Sequence, residues 1–159
     1  MHLKHCLLGL AMLGASIGAA FAVDLTSAQA AYDKGDFEDA FKQFLSMAEQ
    51  GNGLAQSSTG VMYDMGQGTT KDYDKAVEWY KKSAEQGNQF GQFNLGTMYY
   101  MGTGVAKDML TACKWFVLST RQGNGQARIH MHICEKYLND AQRAESNRQA
   151  DEFMAQHKN

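Results

Sequence analysis

The sequence predicts an all-α protein built as a short stack of antiparallel helix pairs, an α-solenoid. Residues 53–88 and 89–124 align without a gap at an offset of 36 residues, with identical residues at 15 of the 36 positions. Within each unit, apolar residues recur at helical spacing on either side of a glycine-rich break. The chain holds 16 glycines and no proline, so it turns by glycine. A period of this length is typical of stacked repeats, in which each unit buries its apolar side against its neighbours.

The N-terminal segment, residues 1–22, is interpreted as a secretory signal peptide. Lys4 contributes to a short basic start, Leu7–Phe21 is an apolar run, and small residues precede a predicted cleavage between Ala22 and Val23. A run of about 15 residues is shorter than the roughly 20 that span a bilayer, so we expect no stable membrane insertion after cleavage. The mature protein is then expected in the periplasm or outside the cell.

The partial unit, residues 23–52, precedes the full repeats. It keeps the repeat's apolar and Gln-Gly-Asn positions, but its loop is shortened to Gly35-Asp36. We expect one helix on each side of that loop.

Each full repeat predicts a first helix, a glycine loop and a second helix. In the unit 53–88, Gly66-Gln67-Gly68 ends the first helix and Asp72 is placed to cap the second. Gly87 is expected to end that second helix. The unit 89–124 repeats the same pattern.

Two glycines inside the first helices, Gly60 and Gly96, indicate a close approach of neighbouring helices. A glycine inside a helix costs about 1 kcal/mol relative to alanine, so tight packing should offset that loss. We expect the large complementary side chains to be Trp79 and Trp115 together with Tyr63 and Tyr99, as part of the core.

The segment 125–159 is predicted to form two C-terminal capping helices. His132 stands in the register position of Gly60 and Gly96, so this last pair should pack differently. His130 and His132 are two residues apart and point to different sides of a helix, which argues against a metal site. We predict no metal and no cofactor.

The strings STGVMYDMGQGTTKDYDKAVEWYKKSAEQGN and NLGTMYYMGTGVAKDMLTACKWFVLSTRQGN resemble the Sel-1-like repeat, a relative of the tetratricopeptide repeat. Its pattern runs LG.mY..G.GV..D...A..W(Y/F)..AA..GN. Thr59 departs from this pattern, because it stands where leucine is expected. The resemblance implies a right-handed solenoid with a concave side lined by the first helices. It also implies a role as an adaptor that binds another protein.

The register that the resemblance implies places a set of side chains on the concave side. Aromatic members of this set suit a partner peptide or helix that brings its own apolar anchors. The alternative is that Phe93 and Tyr100 pack against the neighbouring unit. The predicted partner groove consists of Leu54, Ser57, Val61, Asp64, Phe90, Phe93, Thr97, Tyr100, Ile129 and Ile133, and Lys136 would extend it.

Two cysteines remain after the predicted cleavage, Cys113 and Cys134. They lie 11 and 10 residues on either side of the turn at Gly123-Asn124, so an antiparallel pair places them level to within about 1.5 Å. Disulfides form in exported proteins. The alternative is two buried thiols, and the spacing leaves both open.

The leading functional hypothesis is a non-catalytic scaffold or adaptor of the bacterial envelope, most simply a monomer. The chain carries a net charge of −2 and no basic stripe interleaved with aromatics, so nucleic acid is not an expected partner. One alternative is a cell-wall or β-lactam hydrolase activity, as proposed for cysteine-rich relatives, but no serine of the mature chain has a lysine three residues later. Another is an inhibitor or immunity protein, which would use the same groove.

Overall fold

The computed structural model describes residues 25–157, and all regular structure in that range is helical. The predicted signal peptide and its cleavage between Ala22 and Val23 lie outside the described residues. None of the helices between residues 25 and 157 is long and apolar enough to cross a bilayer. The helices are α1 (25–33), α2 (Phe37–Glu49), α3 (Gly53–Met65), α4 (Tyr73–Glu85), α5 (Gln89–Met101), α6 (Met109–Arg121), α7 (Gly125–Tyr137) and α8 (Asp140–Gln156).

The helices form consecutive pairs, as the sequence predicts. Helix α3 packs on α4, and α5 packs on α6, with loops of seven residues, 66–72 and 102–108, inside each pair. Each second helix also packs on the first helix of the next unit, so the pairs stack in chain order. The predicted all-α stack is therefore confirmed.

The C-terminal helix α8 leaves the regular pattern. Only Leu138 and Asn139 connect it to α7, and α8 packs back against α6. The Arg143 guanidinium holds this corner by donating to the carbonyls of Glu135 and Leu138, at 2.9 and 3.0 Å. Phe153 then lies over Trp115, with ring centroids 5.4 Å apart. Helix α8 therefore covers the outer side of the last full repeat.

The repeated asparagines and aspartates cap the helices. The Asn52 and Asn88 side chains accept hydrogen bonds from backbone amides three residues later, at 2.9 and 3.1 Å. Asp72 and Asp108 do the same at the second helices, at 3.0 and 3.1 Å. These bonds satisfy amides that have no partner within their helix.

A repeated polar network joins the two helices of each full repeat. The hydroxyls of Ser83 and Ser119 donate to the backbone carbonyls of Gly53 and Gln89, at 2.6 and 2.7 Å. The same geometry recurs in glutamine pairs within each repeat, with Gln86 donating to Gln56 at 2.6 Å and Gln122 donating to Gln92 at 2.7 Å. The identity of these residues between repeats thus follows from one packing geometry used twice.

The glycines inside the first helices face rings other than the expected ones. A Cβ on Gly60 would lie 2.6 Å from the Tyr80 ring, and one on Gly96 would lie 2.9 Å from the Phe116 ring. The expectation that Trp79 and Trp115 pack against these glycines is therefore wrong, whereas Trp115 is part of the buried core as expected. One residue along a helix is a rotation of about 100°, so the ring after each tryptophan turns toward the glycine.

The second loop glycine binds each unit to the preceding one. Gly68 and Gly104 have φ values of 69° and 65°. A Cβ there would collide with the backbone at the start of the previous second helix, at Phe37 and Tyr73 respectively. Only glycine combines this left-handed conformation with so close an approach.

Candidate functional site

Most of the residues that repeat have a structural task, so the residues that differ between repeats are the candidates for function. The repeated residues above cap helices, join units or allow close packing. On the first helices, by contrast, outward positions change from unit to unit. We call the ten predicted groove residues the first-helix face.

Three members of the first-helix face are exposed and apolar, one on each of three successive first helices. Leu54 is 41% exposed, Phe90 48% and Ile129 61%. Leu54 and Phe90 occupy the same repeat position, whereas Ile129 occupies the position of Phe93. Large apolar side chains left in solvent are typical of interaction surfaces when they lie close together.

Phe93 and Tyr100 pack within the fold. The Phe93 ring lies 5.1 Å from that of His130 and 6.0 Å from that of Phe116. Tyr100 packs against the buried cluster that contains the two cysteines, and Lys107 lies over its ring at 5.5 Å. Both side chains are half-buried. Replacing them would change the packing as well as any contact with a partner.

The polar and small members of the face take several roles. Ser57 is buried and accepts a hydrogen bond from Asn94 at 3.4 Å, which joins α3 to α5. Asp64 accepts from the Tyr80 hydroxyl at 3.4 Å. Burial, together with the Asp64 charge, raises the pKa of Tyr80 well above its usual value. The half-buried members are Val61, Asp64, Phe93, Thr97, Tyr100 and Ile133.

A cavity that the sequence did not reveal opens between α1 and α3. Its outer part has a volume of about 450 Å³ and is lined by residues that include Ala30, Asp33 and Leu54. An inner part of about 220 Å³ reaches Met62. Gln29, Phe44 and Ser58 line both parts, so the two form one opening. Leu54 belongs to the first-helix face and to this cavity at once.

Cys113 and Cys134 form a disulfide that joins α6 to α7. Their sulfurs are 2.07 Å apart and their Cα atoms 5.7 Å apart. Both residues are buried, at 0% and 3% exposure. A disulfide of this kind indicates folding in an oxidising compartment. Its burial points to a structural role, because reactive thiols are partly exposed.

The two neighbouring histidines point in different directions. His130 packs against Phe93, and its Nδ1 lies 3.0 Å from the Gln126 carbonyl oxygen. The His132 side chain is 80% exposed and lies beside Glu135. Among the residues the structure describes, no three His, Cys, Asp or Glu side chains are grouped to hold a metal ion.

A model of the Sel1 repeat matches residues 53–88 and 89–124, the two ranges delimited by the internal offset. The cysteine-rich protein B of Helicobacter pylori has 30% sequence identity, and the match covers 57% of this chain and 68% of that protein, with a TM-score of 0.54. The chain belongs to the Sel1 repeat family.

Two further Sel1 repeat structures resemble the chain over more of its length. The protein c5321, a protective antigen of uropathogenic Escherichia coli with an SLR fold, has a TM-score of 0.79 and 27% identity over 86% of this chain. A Sel1 repeat protein from Oxalobacter formigenes has a TM-score of 0.67 and 32% identity over 82% of this chain. The chain spans only 30% and 54% of these two proteins. No curated protein sequence matches it.

Sel1 repeat proteins are generally protein-interaction modules, and the fold is typically a non-enzymatic scaffold. Shared architecture does not by itself assign a function, because function resides in sites carried by a fold. On this chain the candidate for such a site is the first-helix face, with Leu54, Phe90 and Ile129 in solvent.

Proposed function

We propose that the protein is a non-catalytic scaffold or adaptor of the bacterial envelope, and that it binds a peptide or helix of a partner protein on the concave first-helix face. The observation that carries this proposal is the exposure of Leu54, Phe90 and Ile129 on three successive first helices. A partner that crosses these helices would remove all three side chains from water. Full burial of an exposed apolar side chain contributes about 1.5–3 kcal/mol. These three side chains are 41–61% exposed, so each would contribute part of that to holding a peptide.

The rigidity of the stack supports this mechanism. The capping bonds, the glutamine pairs and the disulfide fix the positions of the first helices α3, α5 and α7 before a partner arrives. A preformed surface loses little conformational entropy on binding, which favours affinity.

The proposed location is the periplasm or the extracellular space. The disulfide between Cys113 and Cys134 supports an oxidising compartment. The signal peptide proposed for residues 1–22 would provide the route, with cleavage between Ala22 and Val23. We further propose that the mature protein is a monomer, and that residues 125–159 serve as its C-terminal cap.

The test is capture of partner proteins from envelope fractions by the wild type and by a Leu54→Ser, Phe90→Ser, Ile129→Ser variant. Exposed positions are chosen because Phe93 and Tyr100 are packed in the fold. We expect the variant to lose the captured proteins while it keeps the wild-type far-UV circular dichroism spectrum and melting temperature.

A matched control changes exposed residues of a second helix, Glu78→Ser and Lys81→Ser. We expect this control to capture the same proteins as the wild type. Capture that survives in the first-helix variant would reject the assigned face.

A further inference from the structure

The cavity between α1 and α3 is a distinct feature of the first-helix face. Its floor is apolar, because it includes the side chains of Phe44 and Met62, which are only 4% and 1% exposed. Its outer volume of about 450 Å³ falls in the range of roughly 300–1,000 Å³ that is usual for ligand sites. It can therefore receive a side chain, whereas Phe90 and Ile129 only offer a surface.

Small side chains create this cavity. At the seam between α3 and α5, the longer Asn94 side chain reaches Ser57 and closes the gap. Ser58 occupies the repeat position of Asn94 at the α1–α3 seam, and Ala30 faces it from α1. With short side chains at Ala30 and Ser58, Phe44 of α2 is accessible to a group that enters between α1 and α3.

The rim of the cavity carries an acid. Asp33 is exposed and lines the outer part, where its carboxylate accepts a hydrogen bond from Gln29 at 2.8 Å. Lys34 follows it in the sequence but lines neither part of the cavity. The lining of both parts includes no basic residue. The rim is therefore set to attract a cation.

The charge at the register position of Asp33 changes along the stack of first helices. Tyr32 is the counterpart of Tyr63, so Asp33, the next residue, corresponds to Asp64. The next two units carry Tyr100 and Lys136 at the same position. Asp33 and Asp64 thus place acidic side chains at the α1–α3 end of the face, and Lys136 places a basic one at the α7 end, although Lys71 lies within electrostatic reach of Asp64 and offsets part of its charge. Asp33 is the acid that a partner meets at the cavity.

We propose that the α1–α3 cavity is the anchor site of the first-helix face, and that it takes an apolar side chain of a partner peptide that carries a lysine or arginine beside that anchor. This inference rests on the proposed function. The apolar side chain lies against Phe44, and the cation pairs with Asp33 at the rim. An acidic residue beside the anchor would instead be repelled, which selects among apolar peptides.

The experiment uses the full chain and a display library of random short peptides. Enriched peptides are resynthesised with a fluorophore, and their Kd values are measured by fluorescence anisotropy. We expect the enriched sequences to share an apolar residue with a lysine or arginine nearby. Enrichment of peptides that lack a cation, or no enrichment at all, would overturn the proposal.

Three variants locate the binding site. Ala30→Trp fills the cavity from an exposed position, and we expect it to weaken binding by at least about tenfold. Ser27→Trp adds the same ring at another exposed position of α1 that does not line the cavity, and it should leave Kd unchanged. Asp33→Asn keeps an acceptor for Gln29 and removes the charge, so it should weaken binding by about two- to fivefold, with less effect at high salt.

The outcomes separate this inference from the proposed function. Binding that is lost in Phe90→Ser but unchanged in Ala30→Trp would retain the face and reject the cavity as its anchor. Binding that is unchanged in both would reject both. A second copy of the chain is the other candidate occupant. A concentration-dependent dimer in sedimentation that Ala30→Trp abolishes would also overturn the peptide assignment.

Discussion

Loss of the Cys113–Cys134 disulfide is predicted to destabilise the protein by about 3 kcal/mol. The bridge closes a loop between residues that are 21 apart in the sequence. In the chain-entropy model, a loop of this length restricts the unfolded chain by about 3 kcal/mol.

The assay is urea unfolding followed by far-UV circular dichroism, with and without a reductant equilibrated at every urea concentration. For an unfolding slope of about 2 kcal/mol per molar urea, the midpoint should fall by about 1.5 M on reduction. The comparison of oxidised with reduced wild type leaves both sulfur atoms in place, so it measures the cross-link alone.

The matched control is a Cys113→Ala, Cys134→Ala variant. Its midpoint should be low in both conditions, and the reductant should not shift it. Equal midpoints for the oxidised and reduced wild type would refute the reasoning, because the bridge would then add nothing to stability.

Three further substitutions test the packing and the electrostatics. Thr59 is buried, and its hydroxyl has no hydrogen-bond partner in the described structure. Thr59→Val should therefore raise the free energy of unfolding by about 1 kcal/mol in urea titrations. A free energy of unfolding below that of the wild type would contradict an unpaired hydroxyl at this position. Gly96→Ala gains helix propensity but places a methyl group 2.9 Å from the Phe116 ring, so the melting temperature should fall. Adding Phe116→Leu should recover part of that loss. A melting temperature that rises in Gly96→Ala alone would count against the close approach of the two helices. The Arg148 guanidinium lowers the pKa of Glu145 to about 2, so this carboxylate stabilises the fold above its unfolded pKa of about 4.5 and the benefit is lost as the pH falls toward 2. Glu145→Gln should therefore show a smaller loss of melting temperature between these pH values, and an unchanged pH profile would argue against the pair.

The sequence predicts the helix pairs well because the repeat contains residues that start and end helices. Asn52, Asp72 and the glycine loop mark where helices begin and end, and the structure places caps at those residues. These signals act within a few residues of the chain, so they are visible without any knowledge of tertiary packing.

The packing partners of the glycines depend on helix rotation, which the repeat period leaves open. Trp79 and Tyr80 are both large and aromatic, and either satisfies the sequence pattern. The structure turns Tyr80 toward Gly60 and leaves Trp79 half-buried against the buried cluster that includes Phe44 and Met47 of α2. Adjacent residues on a helix differ by about 100°, so only the relative placement of two helices decides between them.

The position of α8 depends on its short connection to α7 as well as on its own residues. The two-residue link at Leu138-Asn139 is too short for the seven-residue turn that pairs the earlier helices, and α8 packs on α6 instead. His132, which the repeat register places at the tight glycine position, is consequently exposed. The apolar pattern of a helix predicts that one side of it is buried, but the pattern does not identify the helix against which it packs.

Part of the candidate site was visible in the sequence and part was not. The register singled out Leu54, Phe90 and Ile129, which are exposed. Phe93 has the same residue type as Phe90, but it packs beside Phe116. The α1–α3 cavity arises from the absence of side-chain volume at Ala30 and its neighbours, and short residues in a sequence give no signal of an opening.

Site-specific photocrosslinking tests the central claim most directly. A photoreactive amino acid is placed at Phe90 on α5 or at Glu78 on α4, both exposed positions, in cells that express the full chain. We predict that position 90 forms a crosslink to a discrete partner protein and that position 78 forms none. Crosslinks at position 78 with none at position 90 would contradict the claim that the first-helix face is the working surface.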